Sequence, residues 1–143
     1  MNFTSSTEGD MEIFLSVVGT HLGKIGAETV LDLYVDTAIT DPAPERVLEE
    51  MIEEARSAQG PASARRGDPL MAVPLDLHSQ RGLERFSLLA HRTIGCEASV
   101  GAELVFSTVE NERIVCLDLP QGDVEALEAE ARLEGAKSLI RVA

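Results

Sequence analysis

Apolar residues follow one pattern before residue 60 and a more regular one after residue 70, and each pattern predicts its own elements. Residues 1–10 are polar and predict a frayed, disordered tail. The stretches "MEIFLSVVG" (11–19) and "TVLDLYVDTA" (29–38) carry the β-branched and aromatic enrichment of strands, joined by a glycine-punctuated loop. Leu15, Val18, Leu22 and Ile25 also recur at helical spacing, but Gly19, Gly23 and Gly26 would each weaken a helix there, so two strands are expected. In "DPAPERVLEEMIEEARSAQG" Thr40 or Asp41 can cap, Pro44 suits the first turn, and Val47, Leu48, Met51, Ile52 and Ala55 form one apolar stripe. This predicts a ββα segment over 11–58, followed by a linker of loop composition at 59–69.

From residue 70 the alternation sharpens. "LMAVPLDLH" sets Met71, Val73, Leu75 and Leu77 on one side, with Pro74 demanding an edge position or a bulge. Ser79 opens a helix whose Leu83, Phe86, Ala90 and Ile94 share a face, with Gly95 placed for a left-handed cap. "SVGAELVFST" and "RIVCLDL" alternate as two strands of a hairpin about the polar "VENE". A closing helix then starts at Asp123, buries Val124, Leu127 and Ala131, can pair Glu128 with Arg132 and stops at Gly135 before the strand "KSLIRVA". The order over 70–143 is β-α-β-β-α-β, so the expected fold is α+β and ferredoxin-like, an antiparallel sheet with helices on one face, preceded by the ββα segment.

Composition narrows the partners. With 25 acidic and 12 basic residues the net charge is −13, and there is no Trp and one Tyr, which argues against binding nucleic acid and for a basic partner if a charged one is bound. The excess is N-terminal, with 12 acids and 3 bases in residues 1–60. Cys96 and Cys116 are too few for a disulfide framework and lack metal-motif spacing, so both are expected as reduced thiols. No secretory signal pattern is present at "MNFTSSTEGD", and no apolar run approaches the roughly 18 residues of a membrane span, which predicts a cytoplasmic protein with no membrane partner.

The positions Val115, Cys116 and Leu117, then Leu119 and Pro120, then Gly135, then Leu139 to Val142 carry a likeness. Over residues 70–143 the chain resembles a family of small bacterial ferredoxin-like proteins that includes nickel-binding members. Members often carry histidines on the second helix, where this chain has Glu125, Glu128, Glu130 and Glu134. The resemblance implies a divalent transition metal such as nickel. His78 and His91 are the histidines inside its span, so they are the expected nitrogen ligands, with Asp76 and Glu84 completing the shell. The plainer reading makes His78 a surface residue and His91 a satisfied boundary residue. Cys116 alternates with Val115 and Leu117 and is expected on the sheet face away from the helices, where with Val105 and Ile114 it would enlarge an apolar patch.

Three functions are compatible with these residues. The first is a non-enzymatic, self-associating domain that binds a small ligand or a divalent metal. The second is an acidic interaction or inhibitor protein docking its Glu-rich helix on a basic partner. The third is a cofactor-free enzyme of the dimeric α+β barrel kind, with His91 or His78 as general base, which needs a polar pocket and a histidine of shifted pKa.

Overall fold

The computed structural model describes residues 1–34, 39–59 and 69–143. Its elements run β1 (Asn2–Thr4), α1 (Glu8–Lys24), β2 (Glu28–Tyr34), α2 (Pro42–Gln59), β3 (Pro69–Leu75), α3 (Gln80–Leu89), β4 (Gly95–Val100), β5 (Glu103–Thr108), β6 (Ile114–Leu117), α4 (Gln121–Leu133) and β7 (Ile140–Val142). The expected linker lies largely outside the described residues, as does the end of the expected strand at 29–38.

The main departure from expectation is α1. Residues 11–19 are helical, and Met11, Phe14, Leu15, Val18 and Leu22 are buried at helical spacing. The glycines that argued for a loop are what lets this helix pack: a Cβ at Gly19 would lie 2.8 Å from the Phe86 ring, and one at Gly23 3.0 Å from the Leu77 carbonyl oxygen. Propensity costs about 1 kcal/mol per glycine, less than the burial gained by bringing α1 against α3. Thr7 caps the start by accepting from the Asp10 N–H. Gly26, at φ +70°, ends it in a Schellman motif with Ala27 N–H to the Leu22 carbonyl at 3.0 Å and Gly26 N–H to the Gly23 carbonyl at 3.2 Å.

All seven strands join one sheet in the order β3-β2-β4-β5-β6-β1-β7, with antiparallel pairing throughout. The architecture is α+β, but the four-stranded βαββαβ sheet expected over 70–143 is not the order observed. β2 stands between β3 and β4, and β1 stands between β6 and β7, so the N-terminal region supplies interior strands. The first residues, expected to fray, are therefore held on both sides. A further strand was hidden in "GCEASV": Gly101, at φ +61°, turns the chain between β4 and β5, and Gly95 begins β4 instead of capping α3. Pro74 lies on an edge strand, one of the two placements its chemistry allows, and the strand's irregularity falls before it, between the Leu70 and Val73 pairings. Met71 on that strand is exposed.

The helices form one row, with α1 packed between α3 and α4 and α2 beyond α3. They cover the sheet face that carries Leu75, Thr29, Ala98, Phe106 and Leu117, which partner one another across adjacent strands. All four Phe residues are buried in two tilted pairs, Phe3 with Phe14 at 4.9 Å and Phe86 with Phe106 at 5.0 Å, each tying a helix to a strand. The opposite face carries the row Val30, Glu97, Ser107, Cys116, Asn2 and Val142. Cys116 is where alternation put it, but polar neighbours flank it, and Val105 is buried at a β-bulge, so the expected apolar patch is broken up. Among the described residues no helix is long and apolar enough to cross a membrane.

Candidate functional site

Three element ends meet at one edge of the helix layer. α1 begins there with Glu8, α3 finishes there just before His91 and Arg92, and the β5–β6 turn brings Arg113. Each charge suits its helix end, because an N-terminus favours an acid and a C-terminus favours a base. Asn111, at φ +64°, takes the left-handed conformation that the turn needs and that asparagine tolerates.

Glu8 organises the cluster. Its Oε1 accepts from Arg113 Nε at 3.0 Å and Nη2 at 2.6 Å, and its Oε2 accepts from His91 Nε2. Arg92 donates through Nη1 to Glu12 at 2.7 Å and to the Leu88 carbonyl at 2.7 Å, and through Nη2 to Asp41 at 3.0 Å. Asp41 stands immediately before α2, so the cluster ties three helices and a hairpin together. Burial, the largest single influence, pushes the Glu8 carboxyl up. The Arg113 and His91 hydrogen bonds and the charges of His91 and Arg92 together outweigh it and hold Glu8 below the ordinary carboxylate range. For His91 burial dominates: it lowers the pKa despite the opposing hydrogen bond and charge of Glu8.

These directions define a tautomer. A carboxylate only accepts, so His91 Nε2 carries the proton and the neutral ring leaves Nδ1 as a bare acceptor. Nδ1 is buried with no hydrogen-bond partner, on a side chain only 1% exposed. Thr93 Oγ1 is likewise buried and unpartnered, on a residue 8% exposed. Leaving such atoms unpaired costs about 1–3 kcal/mol each, so two of them only two residues apart call for an explanation. Both residues line a cleft of about 470 Å³, with Glu8, Asp41, Arg92, Asn111, Glu112 and Arg113 around it.

The other expected ligands do not join His91. His78 is exposed and lies just before α3, whereas His91 follows its end, and ten helical residues at about 1.5 Å each put them roughly 15 Å apart. Asp76 shapes the turn into α3: its carboxylate accepts from the His78 N–H at 3.0 Å and its carbonyl from the Ser79 hydroxyl at 2.9 Å. Glu84 is midway along α3 and lies 3.6 Å from Arg46. No group of three His, Cys, Asp or Glu side chains among the described residues stands ready for a metal ion. Cys96 is buried in the sheet, and burial raises its pKa so that it stays a thiol. A second histidine with a buried, unpartnered nitrogen, His21, lines a smaller groove between α1 and α4.

Sequence reasoning reached His91 but missed Glu8, Arg92, Thr93, Asp41 and Arg113. Glu8 falls in the stretch whose polarity predicts a disordered tail, and its partners lie 83 and 105 residues away. Comparison with protein-family models, with curated proteins and with solved structures finds no match for this chain.

Proposed function

We propose that the protein is a small-ligand-binding domain whose site is the cleft at His91 and Thr93. The observation that carries this reading is the polar cleft itself, lined by Glu8, Asp41, Thr93, Asn111, Glu112 and Arg113. A volume of about 470 Å³ is within the range of small-molecule sites. The ion pairs around it hold the side chains of the site in place before a ligand arrives, which lowers the ordering cost of binding. A shared metal at His78 and His91 gains no support from their placement at the two ends of α3.

One observation favours a second reading. A neutral histidine with its Nε2–H held by a carboxylate and its Nδ1 bare is the arrangement of an oriented general base, so a proton-abstracting enzyme using His91 is the runner-up. The test of the first reading is a thermal-shift screen of the whole chain against small polar metabolites, repeated on Thr93→Val. Compounds that raise Tm in the parent and not in the variant support the cleft. A screen with no stabilising compound, or stabilisation indifferent to Thr93→Val, overturns it. Turnover abolished by His91→Gln would shift the assignment to the enzyme.

A further inference from the structure

We infer that the bare face of the sheet is a docking surface for a partner protein that presents apolar side chains flanked by lysine or arginine. The helices all lie on the other face, so among the described residues no element covers this one. On four adjacent strands, β5, β6, β1 and β7, the register sets Ser107, Ile114, Cys116, Asn2, Thr4, Ile140 and Val142 on the bare face, and none of them is charged. Leu104, 45% exposed, extends the strip, and a shallow groove of about 330 Å³ crosses it between Leu104, Ser107, Cys116 and Asn2. In a chain with 26% charged residues, four neighbouring strands without a charge on one face are unusual. The strip is mixed in polarity, since Asn2 and Ser107 flank Cys116. Depletion of charge, more than an excess of apolar area, is what marks the centre of a protein interface.

Charge and area decide the occupant. Beside the strip, Glu28 on β2 and Glu97 on β4 are exposed on the same face, and Asp118 follows β6 at the end of the groove. None of the three is in an ion pair among the described residues. Arg141 is the single Lys or Arg in the seven strands, and it lies on the helix side, opposite buried Phe3 and paired with Glu128 of α4 at 2.7 Å. With strands about 4.8 Å apart and residues about 3.3 Å apart, the uncharged strip measures roughly 300 Å². Each side of a stable interface buries about 800 Å², so a stable partner must also cover the acidic half and bring cations to it. A second copy of this chain brings none, because its own bare face has no Lys or Arg. Nucleic acid would only add negative charge. This surface lies across the sheet from the helix layer that holds the His91 cleft, so it stands or falls independently of the ligand-binding reading.

The test is an NMR titration of the isotopically labelled whole chain with three short peptides of equal length: one alternating lysine and leucine, one with its leucines replaced by serine, and one with its lysines replaced by glutamate. The lysine–leucine peptide is expected to give saturable shifts of the Glu97, Ser107 and Cys116 amides, the lysine–serine peptide to bind at least about tenfold more weakly, and the glutamate–leucine peptide not to bind. Glu97→Lys, at an exposed position that leaves the fold alone, should weaken the lysine–leucine peptide about tenfold, the reversal of one partly screened charge. Ser107→Arg, which puts a charge into the strip, should weaken it at least as much, with an unchanged Tm showing that the variant is folded. Glu49→Lys on α2 should leave it unchanged. Equal binding by the lysine–serine peptide, shifts spread over the helices and equally reduced by Glu49→Lys, tight binding of the glutamate–leucine peptide, or silence of the strip to all three peptides overturns the inference. Sedimentation showing a dimer that Ser107→Arg dissociates would overturn it as well, by giving the face to a second copy.

Discussion

At the scale of single residues, Glu8 joins three basic side chains, since it orients His91, holds Arg113 and faces Arg92. Removing it with Glu8→Ala is expected to cost about 1–2 kcal/mol by denaturant melting. That is less than the ~3–5 kcal/mol of a fully buried pair, because Glu8 is 38% exposed and water screens what remains. Acid should also weaken the fold here. His91 and Glu8 both have pKa values below their ordinary 6.5 and 4.5, so the unfolded chain binds their protons more readily than the folded one. The stability His91 contributes is complete above pH 6.5 and is lost as pH falls below that through its lower folded value; Glu8 follows below pH 4.5. Thermal melts across pH should therefore show Tm falling in two stages. His91→Gln, which can still donate to Glu8, should flatten the upper stage, and an unchanged profile in that variant would assign the upper stage to another group. None of this was legible in the sequence except the presence of a histidine near an apolar face. A site assembled from residues 8, 41, 91–93 and 111–113 leaves no local spacing to read.

At the scale of elements, legibility tracked how local the physical cause was. Ser79 bonding the Gly82 N–H, and Gly135 at φ +113° closing α4 with Ala136 N–H to the Ala131 carbonyl at 3.0 Å, are events within one turn, and sequence predicted both ends. The Glu128–Arg132 pair formed as spaced, at 2.9 Å. α1 failed because its glycines answer to Phe86 and Leu77, more than fifty residues away. Glycine substitutions should expose the difference between a packing glycine and an idle one. At Gly82 an added Cβ would lie 1.8 Å from the Asp76 carbonyl oxygen, backbone that cannot yield, so Gly82→Ala should cost about 3 kcal/mol or more. Gly9 and Gly122 are helical with nothing within 4 Å of such a Cβ, so alanine there should stabilise by about 0.5–1 kcal/mol. Paired chemical denaturation of the three variants checks both signs. Hydrogen exchange is expected to protect β5, β6 and α4 together, since Phe106, Leu117, Val124 and Leu127 are buried in the same core, and fast exchange at Phe106 would contradict it.

At the scale of the whole molecule, the question is whether residues 69–143 can stand alone, as an alternating pattern with two amphipathic helices suggests. The sheet order argues that they cannot. β3 reaches β4 only through β2, and β7 reaches β6 only through β1, so cutting the chain before β3 strands two edge elements and leaves a three-stranded meander. The helix layer loses its middle as well, because α1 lies between α3 and α4. With it go Met11, Phe14, Leu15, Val18 and Leu22, which are fully buried, and the Phe3–Phe14 contact; at about 1.5–3 kcal/mol per buried large side chain, the loss is as large as the net stability of an ordinary domain. The sequence pattern could not reveal this, since alternation shows that a strand has an inner face but not which strand lies beside it. A chain beginning at residue 69 is accordingly expected to show no cooperative thermal transition by circular dichroism and no slowly exchanging amides, with the exposed face of α3 binding a hydrophobic dye. Mixing it with a separate 1–68 fragment should restore slow exchange at Phe106, because β1 and β2 would again have neighbours on both sides. A sharp, reversible melt of the C-terminal piece alone would show instead that β3 to β7 can rearrange into a closed sheet of their own.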